Sequence, residues 1–119
     1  MASGILTERG GAIATVTLSN PGKLNALDRA RWEGLATTMR QLSADDTLRC
    51  VVLRGAGDEA FAAGADIAEF ASERATREQG AQYGALIHDA MQSVARCRHP
   101  VIALIKGACV GGGLEIAAM

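Results

Sequence analysis

Two loops of small residues in this 119-residue sequence could bring backbone N–H groups close to a ligand. Residues 61–67 read Phe-Ala-Ala-Gly-Ala-Asp-Ile, and positions 111–113 are three consecutive glycines. Each loop follows a predicted buried strand, and its small side chains allow close approach to the backbone. The glycine run also opens a predicted helix, whose first N–H groups lack intrahelical partners and favour negative charge.

Two such N–H groups aimed at one carbonyl oxygen would form an oxyanion hole. One donor of this kind can stabilise a transition state by about 3–4 kcal/mol. A thioester is a good candidate substrate because its enolate places the negative charge on one oxygen. Glu115 falls in the first turn of the predicted helix, beside this site, and is the only carboxylate in the final segment.

Each feature also has a purely structural interpretation. Glycines at a strand-to-helix turn often serve geometry alone, and a glutamate in a first helical turn often only complements the helix dipole. Ala-Gly-Ala can be a tight loop and nothing more. A Walker-type phosphate loop is excluded, because no Gly-Lys-Ser/Thr ending follows the glycine run.

The elements that must position these loops follow from hydrophobic periodicity. Residues 5–9 and 12–18 alternate around two glycines and predict an opening hairpin. Asp28 is placed to cap a helix that runs to about Ala44. The apolar positions of that helix recur at helical spacing and are Trp32, Leu35, Ala36, Met39 and Leu42.

Two continuous apolar runs, residues 50–53 and 101–105, predict strands buried on both faces of a parallel sheet. Between them, residues 76–96 predict a helix that ends before Pro100. Its apolar face consists of Tyr83, Leu86, Ile87, Ala90, Met91 and Val94. Alternating strands and helices with apolar central strands predict an α/β domain with right-handed crossovers.

Composition excludes several classes of protein. The chain is 49% apolar and 21% charged with net charge −1, which excludes disorder, collagen and a disulfide scaffold. Its arginines are scattered, so we expect no nucleic-acid binding. Three separated cysteines indicate reduced thiols, and neither a secretory signal nor an apolar run of ~20 residues is present. We therefore expect a cytoplasmic protein without membrane contact.

The C-terminal segment predicts an apolar helical start that reaches Met119 without a glycine cap or a basic last turn. We expect it to belong to a larger domain, with a frayed natural end as the alternative. Leu114, Ile116 and Met119 would then be exposed in the 119-residue chain.

Three segments together carry a family resemblance. They are residues 25–27, residues 60–67, and residues 99–115 from His-Pro-Val-Ile-Ala through the glycine run to Leu-Glu. In order, spacing and strand-loop-helix context, they resemble the enoyl-CoA hydratase/isomerase (crotonase) family. The resemblance covers essentially the whole chain. It implies a crotonase-like α/β spiral of ββα units, with residues 1–119 as the N-terminal part of one acyl-CoA-binding domain, truncated before the C-terminal helices.

The resemblance also implies roles for individual residues. The oxyanion-hole amides map onto Ala65 and Gly112, and Glu115 matches the first of two catalytic glutamates of the hydratases. Lys23 and Leu24 lie where the family holds coenzyme A. The thioester and pantetheine would be lined by Ala63, Gly64, Ala65, Asp66 and Ile67.

By the same resemblance, the full-length enzyme is expected to hydrate a 2-enoyl-CoA thioester and to form a homotrimer or hexamer. Coenzyme A enters as part of the substrate, and no metal or separate cofactor is expected. Two alternatives stay open. One is a catalytically incompetent fragment that at most binds acyl-CoA, and the other is an isomerase or hydrolase built on the same scaffold.

Overall fold

The computed structural model describes residues 3–119, with the backbone alone at positions 70 and 73. The first two residues of the sequence, which belong to the N-terminus judged to lack a secretory signal, lie outside the described residues. The larger sheet contains four strands in the order β1-β2-β3-β5. These are β1 (Gly4–Gly10), β2 (Ile13–Ser19), β3 (Cys50–Gly55) and β5 (Val101–Leu104). β1 and β2 form the predicted antiparallel hairpin, whereas β2, β3 and β5 are parallel, with Val16 opposite Leu53 and Leu53 opposite Ala103.

Helix α1 (Arg29–Ser43) begins where its cap was predicted, because the Asp28 side chain accepts a hydrogen bond from the Arg31 N–H. Helix α3 (Arg77–Ala95) begins after Thr76, which forms a reciprocal capping box with Gln79. The two helices pack against each other and, with the inward-facing residues of β2 and β3, enclose one apolar core. Its largest buried side chains include Trp32, Leu35, Met39, Leu53, Phe61 and Tyr83.

The prediction that the central strands are buried on both faces is wrong. Val51 and Leu53 are buried, but Val52 between them is only half-buried, and Ile102 in β5 is 55% exposed. Side chains alternate between the two faces of a sheet, and within residues 3–119 the apolar core covers one face only. Continuous apolar sequence therefore marks strands whose second face is uncovered in this chain.

Several short elements next to the glycine loops had no counterpart in the prediction. β4 (Ala60–Ala62) pairs in parallel with β6 (Ala108–Cys109), and a 3₁₀ turn (Ile67–Glu69) leads into α2 (Phe70–Glu73).

The last helix, α4, spans Gly112–Ala118 and packs on β4 and β6. Ile116 of α4 is buried, contrary to expectation, because it joins the apolar core, whereas Leu114 and Met119 are exposed as expected.

Candidate active site

The first loop is anchored to the segment that precedes α1. The Gly64 C=O accepts a hydrogen bond from the Leu27 N–H at 2.7 Å, and the Asp66 N–H donates to the Leu27 C=O at 2.8 Å. Leu27 and Ala65 are thus paired as in a parallel sheet. The Gly64 C=O and the Asp66 N–H both point toward Leu27. Because backbone groups alternate in direction along an extended segment, the N–H of Ala65 points away from Leu27. Within residues 3–119 that N–H has no hydrogen-bond partner.

The second loop ends at the start of α4. The Gly113 N–H donates to the Val110 C=O at 2.9 Å, and the Glu115 N–H donates to the Gly111 C=O at 3.1 Å. Gly112 is the first residue of the helix, so its N–H has no intrahelical acceptor. Across the described part of the chain it has no other acceptor either.

The two loops touch, and glycine makes this contact possible. A Cβ atom on Gly64, whose φ is +97°, would lie 3.0 Å from the Gly112 nitrogen. A Cβ atom on Gly113 would lie 2.2 Å from the Ala62 carbonyl oxygen. Larger residues at either position would separate β4 and its following loop from α4. The structure thus brings two loops together, and the unpaired N–H groups of Ala65 and Gly112 lie one on each loop.

Beside the first loop lies a cavity of about 380 Å³. The Lys23 Nζ and the Asp66 Oδ2 atoms form an ion pair of 3.1 Å at its edge, and Asp66 is only 8% exposed. The Ala68 N–H, which donates to this carboxylate, and the Lys23 ammonium hold the pKa of Asp66 below its ordinary value. The cavity is lined by Lys23, Ala26, Ala63, Ala65, Asp66, Ile67 and Ala68, which include five of the residues assigned to substrate binding.

The remaining candidate residues are exposed. Leu24 has a φ of +50° and is 47% exposed, and its C=O accepts a hydrogen bond from the Ala63 N–H. Ile67 is 75% exposed at the mouth of the cavity. Glu115 is exposed in the first turn of α4, three residues after Gly112. Its carboxylate has no partner within residues 3–119.

Four side chains, of which Asn25, Trp32 and Tyr83 are buried, support the two loops in roles that the sequence did not predict. Asn25, with a φ of +57°, accepts a hydrogen bond from the Asn20 N–H and donates to the carbonyls of Ala56 and Ala60. Glu69 and Tyr83 are hydrogen-bonded to each other. The Trp32 ring packs against Gly112, and its indole N–H is the one buried side-chain donor without a partner among the described residues. The positive φ of Asn25 follows from its residue type, but the distant partners of all four do not.

Comparison with known proteins identifies the family and the fold of this chain. Residues 8–119 match the model of the family described as enoyl-CoA hydratase/isomerase. The chain belongs to this family. A solved structure described as an enoyl-CoA hydratase/carnithine racemase from Magnetospirillum magneticum is 50% identical, with a TM-score of 0.94 over 98% of this chain and 44% of that one. The fold is therefore the crotonase fold that the sequence predicted.

Curated relatives in the enoyl-CoA hydratase/isomerase family carry names for more than one reaction. The short-chain-enoyl-CoA hydratase of Clostridium acetobutylicum is 35% identical over 95% of this chain and 42% of the relative. The mitochondrial Delta(3,5)-Delta(2,4)-dienoyl-CoA isomerase of Mus musculus is 34% identical over 85% of this chain and 33% of the relative. The chain thus spans less than half the length of these relatives.

Neither a membrane span nor a metal cluster occurs in the described residues. No helix among them is both long and apolar enough to cross a bilayer. Within the same part of the chain, no three histidine, cysteine, aspartate or glutamate side chains are grouped as they would be around a metal ion.

Proposed function

We propose that residues 1–119 form the N-terminal part of one acyl-CoA-binding domain, in an enzyme that stabilises the enolate of a coenzyme A thioester. The observation that carries this proposal is the pair of unpaired N–H groups, of Ala65 and Gly112, on two loops in contact. A thioester oxygen that accepts from both would be stabilised most when it becomes an enolate oxygen.

In this mechanism each assigned residue has a separate task. Ala65 and Gly112 bind the thioester oxygen through their amides, and Glu115 transfers the proton that accompanies enolate formation or collapse. Lys23 and Leu24 contact the coenzyme A moiety, and residues 63–67 line the thioester and pantetheine. Coenzyme A belongs to the substrate, so no separate cofactor is needed.

Hydration of a 2-enoyl-CoA is the reaction we propose for the full-length enzyme, which would act in the cytoplasm as a homotrimer or hexamer. The 35% identity to a short-chain-enoyl-CoA hydratase supports this reaction. The similarity to a dienoyl-CoA isomerase supports isomerisation as the second candidate, since the same pair of donors serves any reaction through a thioester enolate.

The proposal is tested by removing one donor. In a full-length family enzyme that carries this segment, Gly112→Pro deletes the N–H and should lower kcat by roughly 100-fold or more. Proline also adds carbon atoms, and a Cβ at this position would lie 3.1 Å from the Trp32 ring. Gly112→Ala is the matched control, because it adds the same Cβ and keeps the N–H.

Steady-state turnover of a panel of coenzyme A thioesters measures both variants. A loss at least 10-fold larger in Gly112→Pro than in Gly112→Ala is expected if the amide acts on the substrate. Equal losses in the two variants would mean that packing against Trp32, and no hydrogen bond to the substrate, explains the effect.

A further inference from the structure

One carboxylate oxygen, the Oε1 atom of Glu69, joins three elements of the fold. It accepts a hydrogen bond of 2.8 Å from the Arg29 N–H, the first amide of α1, which has no intrahelical acceptor. The same oxygen accepts a hydrogen bond of 2.6 Å from the Tyr83 hydroxyl in the middle of α3. Glu69 itself ends the 3₁₀ turn that follows the Ala65 loop. The glutamate therefore holds this turn against both long helices.

The tyrosine that completes this contact is deeply buried. Tyr83 is fully inaccessible to solvent, and the Arg74 guanidinium lies 5.3 Å from the centre of its ring. Burial and the neighbouring Glu69 carboxylate raise the pKa of Tyr83, so its hydroxyl stays a donor at neutral pH. A short hydrogen bond from a hydroxyl to a carboxylate is among the stronger ones in proteins.

The Glu69 contact continues the pairing that orients Ala65. Gly64 and Asp66 are hydrogen-bonded to Leu27, and Glu69 is hydrogen-bonded to Arg29 two residues further on. Three hydrogen bonds thus fasten residues 64–69 along residues 27–29. The Glu69 bond therefore extends the pairing on either side of Ala65 into the first residue of α1.

We propose that Glu69, held by Tyr83, is a positioning residue that keeps the Ala65 amide directed at the substrate. This inference rests on the proposed function for its catalytic consequence, but its structural part does not. Glu69 touches no reacting atom in this mechanism. It acts through the Leu27–Ala65 pairing.

Amide hydrogen exchange in an isotope-labelled full-length family enzyme that carries this segment tests the structural part. Glu69→Ala should raise the exchange rates of the Leu27 and Asp66 amides at least 10-fold, while the Val51 amide at the far end of the sheet keeps its rate. Glu69→Gln retains a carbonyl acceptor and should restore slow exchange. Glu8→Ala, at an exposed position of β1, is the control and should change neither rate.

Tyr83→Phe removes only the hydroxyl and keeps the buried ring, so it serves if Glu69→Ala does not fold. It should raise the same two exchange rates several-fold. Unchanged exchange at Leu27 and Asp66 in a folded variant of either residue would overturn the proposal. A uniform rise across the sheet would overturn it too, because it would indicate a general loss of stability.

The catalytic part is tested in a full-length family enzyme that carries this segment, with crotonyl-CoA as the probe. Glu69→Ala should lower kcat at least 10-fold with KM within about 3-fold of the parent, and Glu69→Gln should restore kcat. Equal losses in the alanine and glutamine variants, or a loss confined to KM, would contradict a positioning role. Failure of the proposed function is recognised separately, by equal turnover of Gly112→Pro and Gly112→Ala.

Discussion

Two backbone amides and one carboxylate bear the chemistry proposed for this chain. The amides of Ala65 and Gly112 depend on their neighbours, since Gly64 and Gly113 leave no Cβ between the loop and the helix. Short motifs identify such residues because glycine runs and small-residue loops are local features of the sequence. The supporting roles of Asn25 and Glu69 were not predicted, because Ala60 and Arg29, with which they bond, lie 35 and 40 residues away.

Glu115 is expected to transfer a proton in the full-length enzyme. Glu115→Gln keeps the size of the side chain but cannot exchange a proton, so kcat should fall at least ~100-fold with little change in coenzyme A binding. Turnover and equilibrium binding of coenzyme A measure the two effects. Glu78→Gln is the matched control, because Glu78 also lies in the first turn of a helix and would have only an electrostatic role. Equal turnover of the Glu115 and Glu78 variants would assign Glu115 to helix stabilisation alone.

At the scale of elements, the longest periodic segments were predictable and the shortest were not. The hairpin, α1, α3 and the parallel pairing of β3 with β5 all follow from hydrophobic patterning and caps. β4 and β6 have three and two residues, which is too short for any period to show. These two strands nevertheless set the contact between the loops, so the candidate residues were predictable but their mutual placement was not.

The segment between β4 and α3 should loosen in acid because of Asp66. Its pKa in the folded chain lies below the ordinary value of about 3.9, so its carboxylate favours the folded state fully above that pH. This contribution is lost as the pH falls through the lowered folded-state value. In acid, the free energy of unfolding of the unsubstituted protein should therefore approach that of the Asp66→Asn variant.

Urea unfolding at about pH 6 and at about pH 3 measures the difference in free energy of unfolding between Asp66→Asn and the unsubstituted protein, in a full-length family enzyme that carries this segment. Asp58→Asn is the control, because Asp58 pairs with Lys106 at a site where its side chain is 83% exposed. A difference between the parent and Asp66→Asn that is the same at both pH values would show that the Asp66 ionisation does not stabilise the fold.

At the scale of the whole molecule, the uncovered sheet face controls how the 119-residue chain behaves. Ile102 and Leu104 of β5 are 55% and 44% exposed, and Leu114 of α4 is 56% exposed. Large exposed apolar side chains of this kind promote association. We expect the isolated chain to self-associate or partly unfold, and to hydrate crotonyl-CoA near the background rate.

Sedimentation and the loss of enoyl-thioester absorbance measure these two properties. The double variant Ile102→Thr, Leu104→Thr replaces both exposed apolar side chains by a polar one that suits a β-strand, and it should reduce association. A monodisperse monomer that turns over ~1–1000 substrate molecules per second would contradict this expectation, because the chain would then supply every catalytic group itself.

The most direct test of the oxyanion hole is the structure of a complex. A crystal structure of a full-length family enzyme that carries this segment, bound to an acyl-CoA thioester, locates the thioester oxygen. We expect that oxygen within hydrogen-bond distance, at most ~3.5 Å, of the nitrogen atoms of both Ala65 and Gly112. An oxygen farther than this from both nitrogens, in a complex whose coenzyme A is well ordered, would contradict the proposed function.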